Sequence, residues 1–306
     1  MKAYIFLILV MLMFSGNLIV GKAISELPPF MIAFFRVFIA FLVMLPVGIG
    51  QWQRNRAVFR QEWKPFLGLA VTGIALFNAL IYMALRYTSS TNVAIVETTT
   101  PVFTIGLGIL FLKERLTALQ SFGVALSLAG AVWVISGGSL EALVNFSFNR
   151  GDMIMVTAVL VWSVYSVLVK RHNHKFPMYG GLVGMLGIAV VTLFPFALYE
   201  WIRYSPQVFN MPVAMGLLYL GIFPSVIALL LYNHAVSEIG PSTASVFFNL
   251  LPVFTMAGAV LLLDETVKSA QLIGGALVIG GVYLTTRKKR SKSQYGESPV
   301  SANESN

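Results

Sequence analysis

From residue 3 to residue 286, one apolar stretch of about twenty residues follows another with hardly a soluble interval between them. A bilayer offers no water to backbone N–H and C=O groups, so a chain of this kind crosses it as helices whose backbone bonds are internal. Apolar residues make up 57% of the chain and charged residues 11%, which excludes an ordinary water-soluble domain. The reading is an all-α integral membrane protein of ten transmembrane helices, at about 3–24, 29–49, 65–85, 90–112, 117–137, 152–169, 179–199, 212–234, 242–263 and 269–286. The net charge of +9 does not point to nucleic acid, because the basic residues gather at span ends and after residue 286. The chain has no cysteine, hence no disulfide, thiolate metal ligand or cysteine nucleophile.

One long segment is written twice. Pro101-Val102-Phe103-Thr104 recurs as Pro252-Val253-Phe254-Thr255, Glu114 as Glu265, Gln120 as Gln271, Gly123 as Gly274 and Gly130 as Gly281, always 151 residues on. Solenoid repeats are much shorter, whereas membrane transporters are commonly built from two related halves. A weaker match pairs Phe14-Ser15 and Gly21-Lys22 with Trp162-Ser163 and Val169-Lys170. The expected organisation is a first five-helix repeat over 1–148, a second over 149–287, and a disordered basic and polar tail over 288–306.

The basic residues give the direction. With the N-terminus inside, fifteen of the 21 Lys and Arg residues fall on the inner side and five on the outer, with Arg36 left within a span. That bias obeys the positive-inside rule and predicts both termini to be cytoplasmic. Five spans per half then make the second half enter from the opposite face, so the repeat is inverted. The first apolar run is expected to remain as a span: no A-x-A cleavage site follows it, and its loss would destroy the match to the sixth.

These paired segments, PVFTIGLGILFLKERLT and PVFTMAGAVLLLDETVK, with FFRVFIA in the second span and Trp162-Ser163 with Tyr165 in the sixth, resemble EamA-type members of the drug/metabolite transporter superfamily. The resemblance covers residues 3–286. It implies an inverted five-plus-five bundle around a central cavity, working by alternating access, mostly in export from the cell through the plasma membrane. It fixes no substrate, since similar proteins move amino acids, other metabolites or toxic compounds.

Within the spans two charges stand out. Glu97 lies inside the fourth, with Thr100, Pro101 and Thr104 on the same side of the helix, and Arg36 lies about as deep in the second. An intramembrane charge costs on the order of 2.5 to 3.5 kcal/mol unless it is paired or hydrated. Two readings follow: Glu97 exchanges protons during transport, or Arg36 and Glu97 form a structural pair. The second half carries Phe248 where the first has Glu97, and one acid beside an aromatic wall suits a small amphipathic solute better than a phosphorylated sugar. The candidate substrate-binding or coupling residues are Glu97, Arg36, Asn17, Asn78, Tyr82, Thr100, Trp162, Tyr165, Ser245 and Asn249, with Asn233 on the same route. The alternative for each polar member is an interhelical hydrogen bond.

Other motifs have plainer readings. Gly16 to Ala23 nearly spells a phosphate-binding loop, but Ala23 stands where a hydroxyl is required and no strand precedes it. Gly123 and Ser127, like Ala276 and Gly280, are small-xxx-small pairs that suit close helix packing. Glu114 and Glu265 precede the fifth and tenth spans, where a carboxylate suits a helix N-terminus. Asn145-Phe146-Ser147 matches a glycosylation acceptor by chance. No metal-ligand spacing, nucleophile elbow or paired catalytic carboxylates occur, so no cofactor and no enzymatic reaction are expected. The implied partners are a small-molecule substrate, the lipid bilayer and protons. The function read from the sequence is a secondary exporter of amino acids or related metabolites, with multidrug efflux as the alternative.

Overall fold

The computed structural model describes residues 2–136, 139, 149–204, 210–255, 257 and 269–286, and among these every regular element is helical. Seven helices are long and apolar enough to cross a membrane. They are α1 (Lys2–Ala23), α2 (Pro29–Arg54), α3 (Trp63–Tyr87), α4 (Asn92–Leu112), α6 (Arg150–Lys175), α7 (Met178–Tyr204) and α8 (Met211–Ile239). The shorter apolar helices are α5 (Ala118–Ile135) and α10 (Ser269–Thr286). A segment α9 starts at Pro241–Ser245 and narrows into a 3-10 stretch, Val246–Leu250. That span continues as helix over 251–255, and the rest of its expected course to 263 beyond 257, together with Glu265, the glycosylation-like triplet and the tail, lies outside the described residues.

Among the described residues four helices are interrupted, and the interruptions follow the sequence period. α3 contains a π-helical stretch at Val71–Leu76, and α8 contains one at Phe223–Ala228. α4 is broken between its halves Ser90–Glu97 and Thr100–Leu112, and Thr98 at that break stands one period before Asn249 in the 3-10 stretch of α9. Each break needs its freed carbonyls satisfied, because none can turn to water inside a bilayer. In α4 three successive threonine hydroxyls turn to the chain: Thr98 donates to Ile95 O and Thr99 to Val96 O, beside their own N–H groups, and Thr100 to Glu97 O, each hydroxyl at 2.6 Å. The third is needed because Pro101, four residues after Glu97, has no N–H to donate. In α8 Pro224 likewise cannot reach Leu220, and the Ser225 hydroxyl takes that carbonyl at 2.7 Å.

One end of the bundle is tied by helix-terminal contacts. Lys22 Nζ donates to Leu85 O at 2.8 Å and Thr88 O at 3.0 Å, placing a cation on the last carbonyls of α3. Asn149 and Asp152 form a reciprocal capping box at the start of α6, and Asp152 also accepts from Thr88 at 2.9 Å. Glu200 on α7 accepts from the N–H of Met31 at 3.1 Å, serving the N-terminus of α2. At the other end Lys170 donates to Ser237 O at 2.6 Å and Lys175 pairs with Glu62 at 2.8 Å.

Glu114 does not cap α5. Lys113 adopts a left-handed conformation, φ 55°, that ends α4, and the Glu114 N–H turns back to Gly108 O at 3.2 Å. This swings the carboxylate toward α9, where it accepts from the Ser242 hydroxyl. Gly240 beside it has φ +87°, a conformation that favours glycine, and lies against Glu114 Oε1, which would be 2.6 Å from an added Cβ. The α5 N-terminus is served instead by Thr117 and Gln120: Gln120 Oε1 accepts from Thr117 N at 3.0 Å, and Thr117 Oγ1 from Gln120 N at 3.3 Å.

α5 and α10 pack closely along small residues, as expected, but along a different face of α10. A Cβ on Gly123 would meet Thr285 Oγ1 at 2.6 Å and Gly281 O at 2.7 Å, and one on Gly130 would meet Val278 N at 2.7 Å. Gly274, Val278, Gly281 and Thr285 therefore line the contact, whereas a Cβ on Gly280 meets nothing within 4 Å and Ala276 is exposed. Gly123→Leu and Gly281→Leu should each force the helices apart and lower the melting temperature by roughly 2 to 5 °C, as an overpacking cost of about 1 to 3 kcal/mol implies in a chain of this size. Flux per folded molecule should keep its substrate preference, and measuring both separates packing from function.

Candidate functional site

The interruptions bring carbonyls, hydroxyls and two charged side chains to one level of the bundle. Arg36 on α2 is buried, and its guanidinium reaches three other helices. Nε donates to Ser225 on α8 at 2.9 Å, and Nη1 donates to Asn17 Oδ1 on α1 at 2.8 Å and to the Tyr82 hydroxyl on α3. Tyr82 in turn donates to Asn17 Oδ1 at 2.9 Å. The guanidinium carbon also lies 5.5 Å from the Tyr82 ring centre. Hydrogen bonds to a charged group contribute about 1.5 to 3 kcal/mol each, so three of them outweigh the insertion cost of one deep arginine, about 2.5 to 3.5 kcal/mol.

Arg36 is thus satisfied without Glu97. No ion pair joins the two among the described residues. Glu97 ends the first half of α4 and is buried, and its Oε2 has no hydrogen-bond partner. Both side chains face one cavity, lined also by Phe14, Asn17, Gly73, Ile74, Phe77, Asn78, Ile81, Trp162, Pro224, Ser225 and Leu229. Its volume is about 30 Å³, room for one or two waters. An amino acid does not fit, so solute binding requires the surrounding helices to move.

The walls are aromatic. Trp162 lies 4.5 Å from Phe77, 5.1 Å from Tyr165, 5.0 Å from Tyr232 and 5.8 Å from Phe14 between ring centres. Phe248, one period after Glu97, stands 6.1 Å from Trp162. The polar tips of these rings are occupied: Trp162 Nε1 donates to Tyr232 at 3.2 Å, the Tyr232 hydroxyl meets Ser166 at 2.7 Å, and Tyr165 donates to Asn233 Oδ1 at 2.6 Å.

Of the sequence candidates, Glu97, Arg36, Asn17, Asn78 and Trp162 line the cavity, and Tyr82 stands behind Arg36. Tyr165 is next to it, against Gly73. Thr100 is turned to Glu97 O, Ser245 to Ser242 O at 2.9 Å, and Asn249 Nδ2 to Ser127 on α5 at 2.8 Å, so these three make helix contacts. Sequence reasoning missed Ser225, Pro224, Phe14 and Phe77. The signal for the first two was a proline inside a span followed at once by a hydroxyl. Among the described residues no group of acidic residues and histidines is placed to hold a metal ion.

A chain-wide comparison decides the family. The EamA-like transporter family model matches residues 1–136 and again 149–287. The chain belongs to the EamA-like transporter family. An uncharacterized transporter of Archaeoglobus fulgidus is 32% identical over 290 residues, covering 94% of this chain and 98% of that protein. The uncharacterized transporter YyaM of Bacillus subtilis is 32% identical, with 82% of each chain covered. A probable terminal-alkyne amino-acid exporter of Streptantibioticus cattleyicolor is 24% identical over 77% of each chain. A crystal structure at 21% identity superposes with a TM-score of 0.75, covering 93% of this chain and 95% of the other, which shows the same fold. This EamA-family chain is therefore a multi-pass membrane transporter protein, and its cavity is the place to seek the solute.

Proposed function

We propose that the protein is a secondary transporter that exports small metabolites, amino acids or related compounds, across the plasma membrane by alternating access. The observation that carries this reading is the pairing, in one small cavity, of a guanidinium held by neutral partners with a carboxylate oxygen that has none. A zwitterion matches both ends: its carboxylate suits the guanidinium, whose Nη2 is left over by the bonds to Ser225, Asn17 and Tyr82, and its ammonium suits Glu97. Protons are the proposed coupling ion, because Glu97 has no fixed cationic partner and sees changing hydration as the cavity opens and closes.

The ten-helix, inverted two-repeat architecture with cytoplasmic termini is part of this proposal. It is supported by the matched helix interruptions of α3 with α8 and of α4 with α9, by the two stretches of family match, and by the bias of basic residues. The amino-acid exporter named above supports the solute class. Efflux of apolar toxic compounds is the second reading, favoured by a lipid-side groove of about 570 Å³ between α1, α9 and α10, lined by Tyr4, Ile8, Phe247, Val253, Ile279 and Tyr283.

A thermal-shift screen separates the two. Amino acids in the panel should raise the melting temperature of the purified protein, and Arg36→Gln should remove that shift. A shift given only by apolar compounds, retained in Arg36→Gln, would favour the groove.

A further inference from the structure

Below the central cavity lies a second, larger one. It has a volume of about 210 Å³ and is bounded by the turn between α6 and α7 and by the last turns of α8, with Asn173, His174, Asn233, His234 and Ser237 as its polar groups and Phe66, Phe176, Met178 and Met185 among its apolar ones. It is seven times the volume of the central cavity. His234 and Glu238 are both half-exposed, 3.7 Å apart, so this chamber borders solvent.

The Tyr165 side chain touches the lining of both. The Tyr165 ring packs against the α carbon of Gly73, where an added Cβ would lie 2.7 Å from Tyr165 Cγ, and Gly73 lines the central cavity. The Tyr165 hydroxyl donates at 2.6 Å to Asn233, which lines the lower chamber. Its neighbour Trp162, 5.1 Å away, is a wall of the central cavity. Gly73 belongs to the π-helical stretch of α3, and π turns are packing irregularities often found at functional sites. The ring is thus seated on a discontinuity of α3 and fastened by one bond to α8.

We infer that Tyr165 is the inner gate of the transport route: its bond to Asn233 closes the central cavity from the lower chamber, which is the vestibule where a small polar organic solute is admitted. The inference rests on the transport reading above and adds to it a place of admission and the residue that controls it. In this conformation exposed residues, His174, Met178 and His234, line the vestibule, whereas the polar lining of the central cavity, Asn17, Arg36, Asn78 and Glu97, is buried. Passage requires the Tyr165 hydroxyl to leave Asn233 and the ring to leave Gly73. Opening at the far end would involve the contacts of Lys22, Thr88 and Asp152 instead.

Because the chain has no cysteine, single cysteines report each chamber. Ile74→Cys marks the buried central cavity and Ser237→Cys the partly exposed vestibule. The probe is a small charged methanethiosulfonate applied to the full chain in detergent, where both membrane faces are reached, so the result depends neither on orientation nor on proton coupling. Ser237→Cys should react fast and Ile74→Cys slowly. Adding Tyr165→Phe, which keeps the ring and deletes the bond, should raise the Ile74→Cys rate roughly fivefold, the population change expected from losing one hydrogen bond. Asn233→Leu, which removes the acceptor, should do the same, and the Ser237→Cys rate should not change in either. An Ile74→Cys rate unaltered by both substitutions in folded protein, or a Ser237→Cys rate as slow as that of Ile74→Cys, would overturn the assignment. Absence of amino-acid flux alongside the expected labelling would count against the solute class and leave the gate standing.

Discussion

Glu97→Gln is expected to leave a folded protein whose transport no longer responds to a pH gradient. With one proton exchanged per solute, each pH unit across the membrane is worth about 1.4 kcal/mol, so the parent protein should change its steady-state solute ratio about tenfold per unit. Glutamine has nearly the same shape and no exchangeable charge, and its ratio should not move with the gradient. The structure also predicts little loss of stability, since among the described residues the Glu97 carboxylate makes no hydrogen bond through Oε2 and no ion pair. The melting temperature should stay within about 2 °C, the change set by well under 1 kcal/mol in a chain of this size. Gradient-driven flux in proteoliposomes and melting curves on the same preparation check both halves.

Arg36 should behave in the opposite way. Its fork joins α1, α3 and α8 through Asn17, Tyr82 and Ser225, and no shorter or more compact cation can span those three. Arg36→Lys keeps the charge, yet should destabilise the protein by about 1 to 3 kcal/mol, because at least one buried partner is left unsatisfied. Flux per folded molecule should fall at least about tenfold, as the loss of one charged hydrogen bond to the solute implies. Arg36→Gln should be similarly destabilised, and adding Glu97→Gln should not restore it. Recovery in that double variant would mean that the two residues form a pair, against the hydrogen bonds described here. Thermal melts of the three variants, read with flux, distinguish the cases.

The parts of this arrangement readable in the sequence are those fixed by local chemistry. Apolar length gave the helices, and the rarity of charge within them singled out Arg36 and Glu97. Small residues in α5 announced a close contact. What escaped was helix rotation and long-range partnership. A π turn carries one extra residue and rotates everything beyond it by about 100°, so a 3.6-residue wheel drawn through α8 misplaces Ser225. That hydroxyl meets Arg36 across 189 residues of sequence, and nothing local marks the meeting. The same limit explains α10, where Gly281 rather than Gly280 faces α5: one residue is a turn of about 100°, and only the position of the partner helix selects between them. Glu114 was misread because a left-handed Lys113 redirects the chain before α5 begins.

Counterflow in proteoliposomes tests the central claim most directly. Vesicles containing the purified protein are preloaded with an amino acid from the thermal-shift screen and diluted into trace isotope-labelled amino acid. An alternating-access carrier with one shared site should accumulate the label transiently above its outside concentration, and Arg36→Gln vesicles should not. Label that only equilibrates downhill in the parent protein, or that overshoots equally in Arg36→Gln, would contradict a transport site built on the Arg36 and Glu97 cavity.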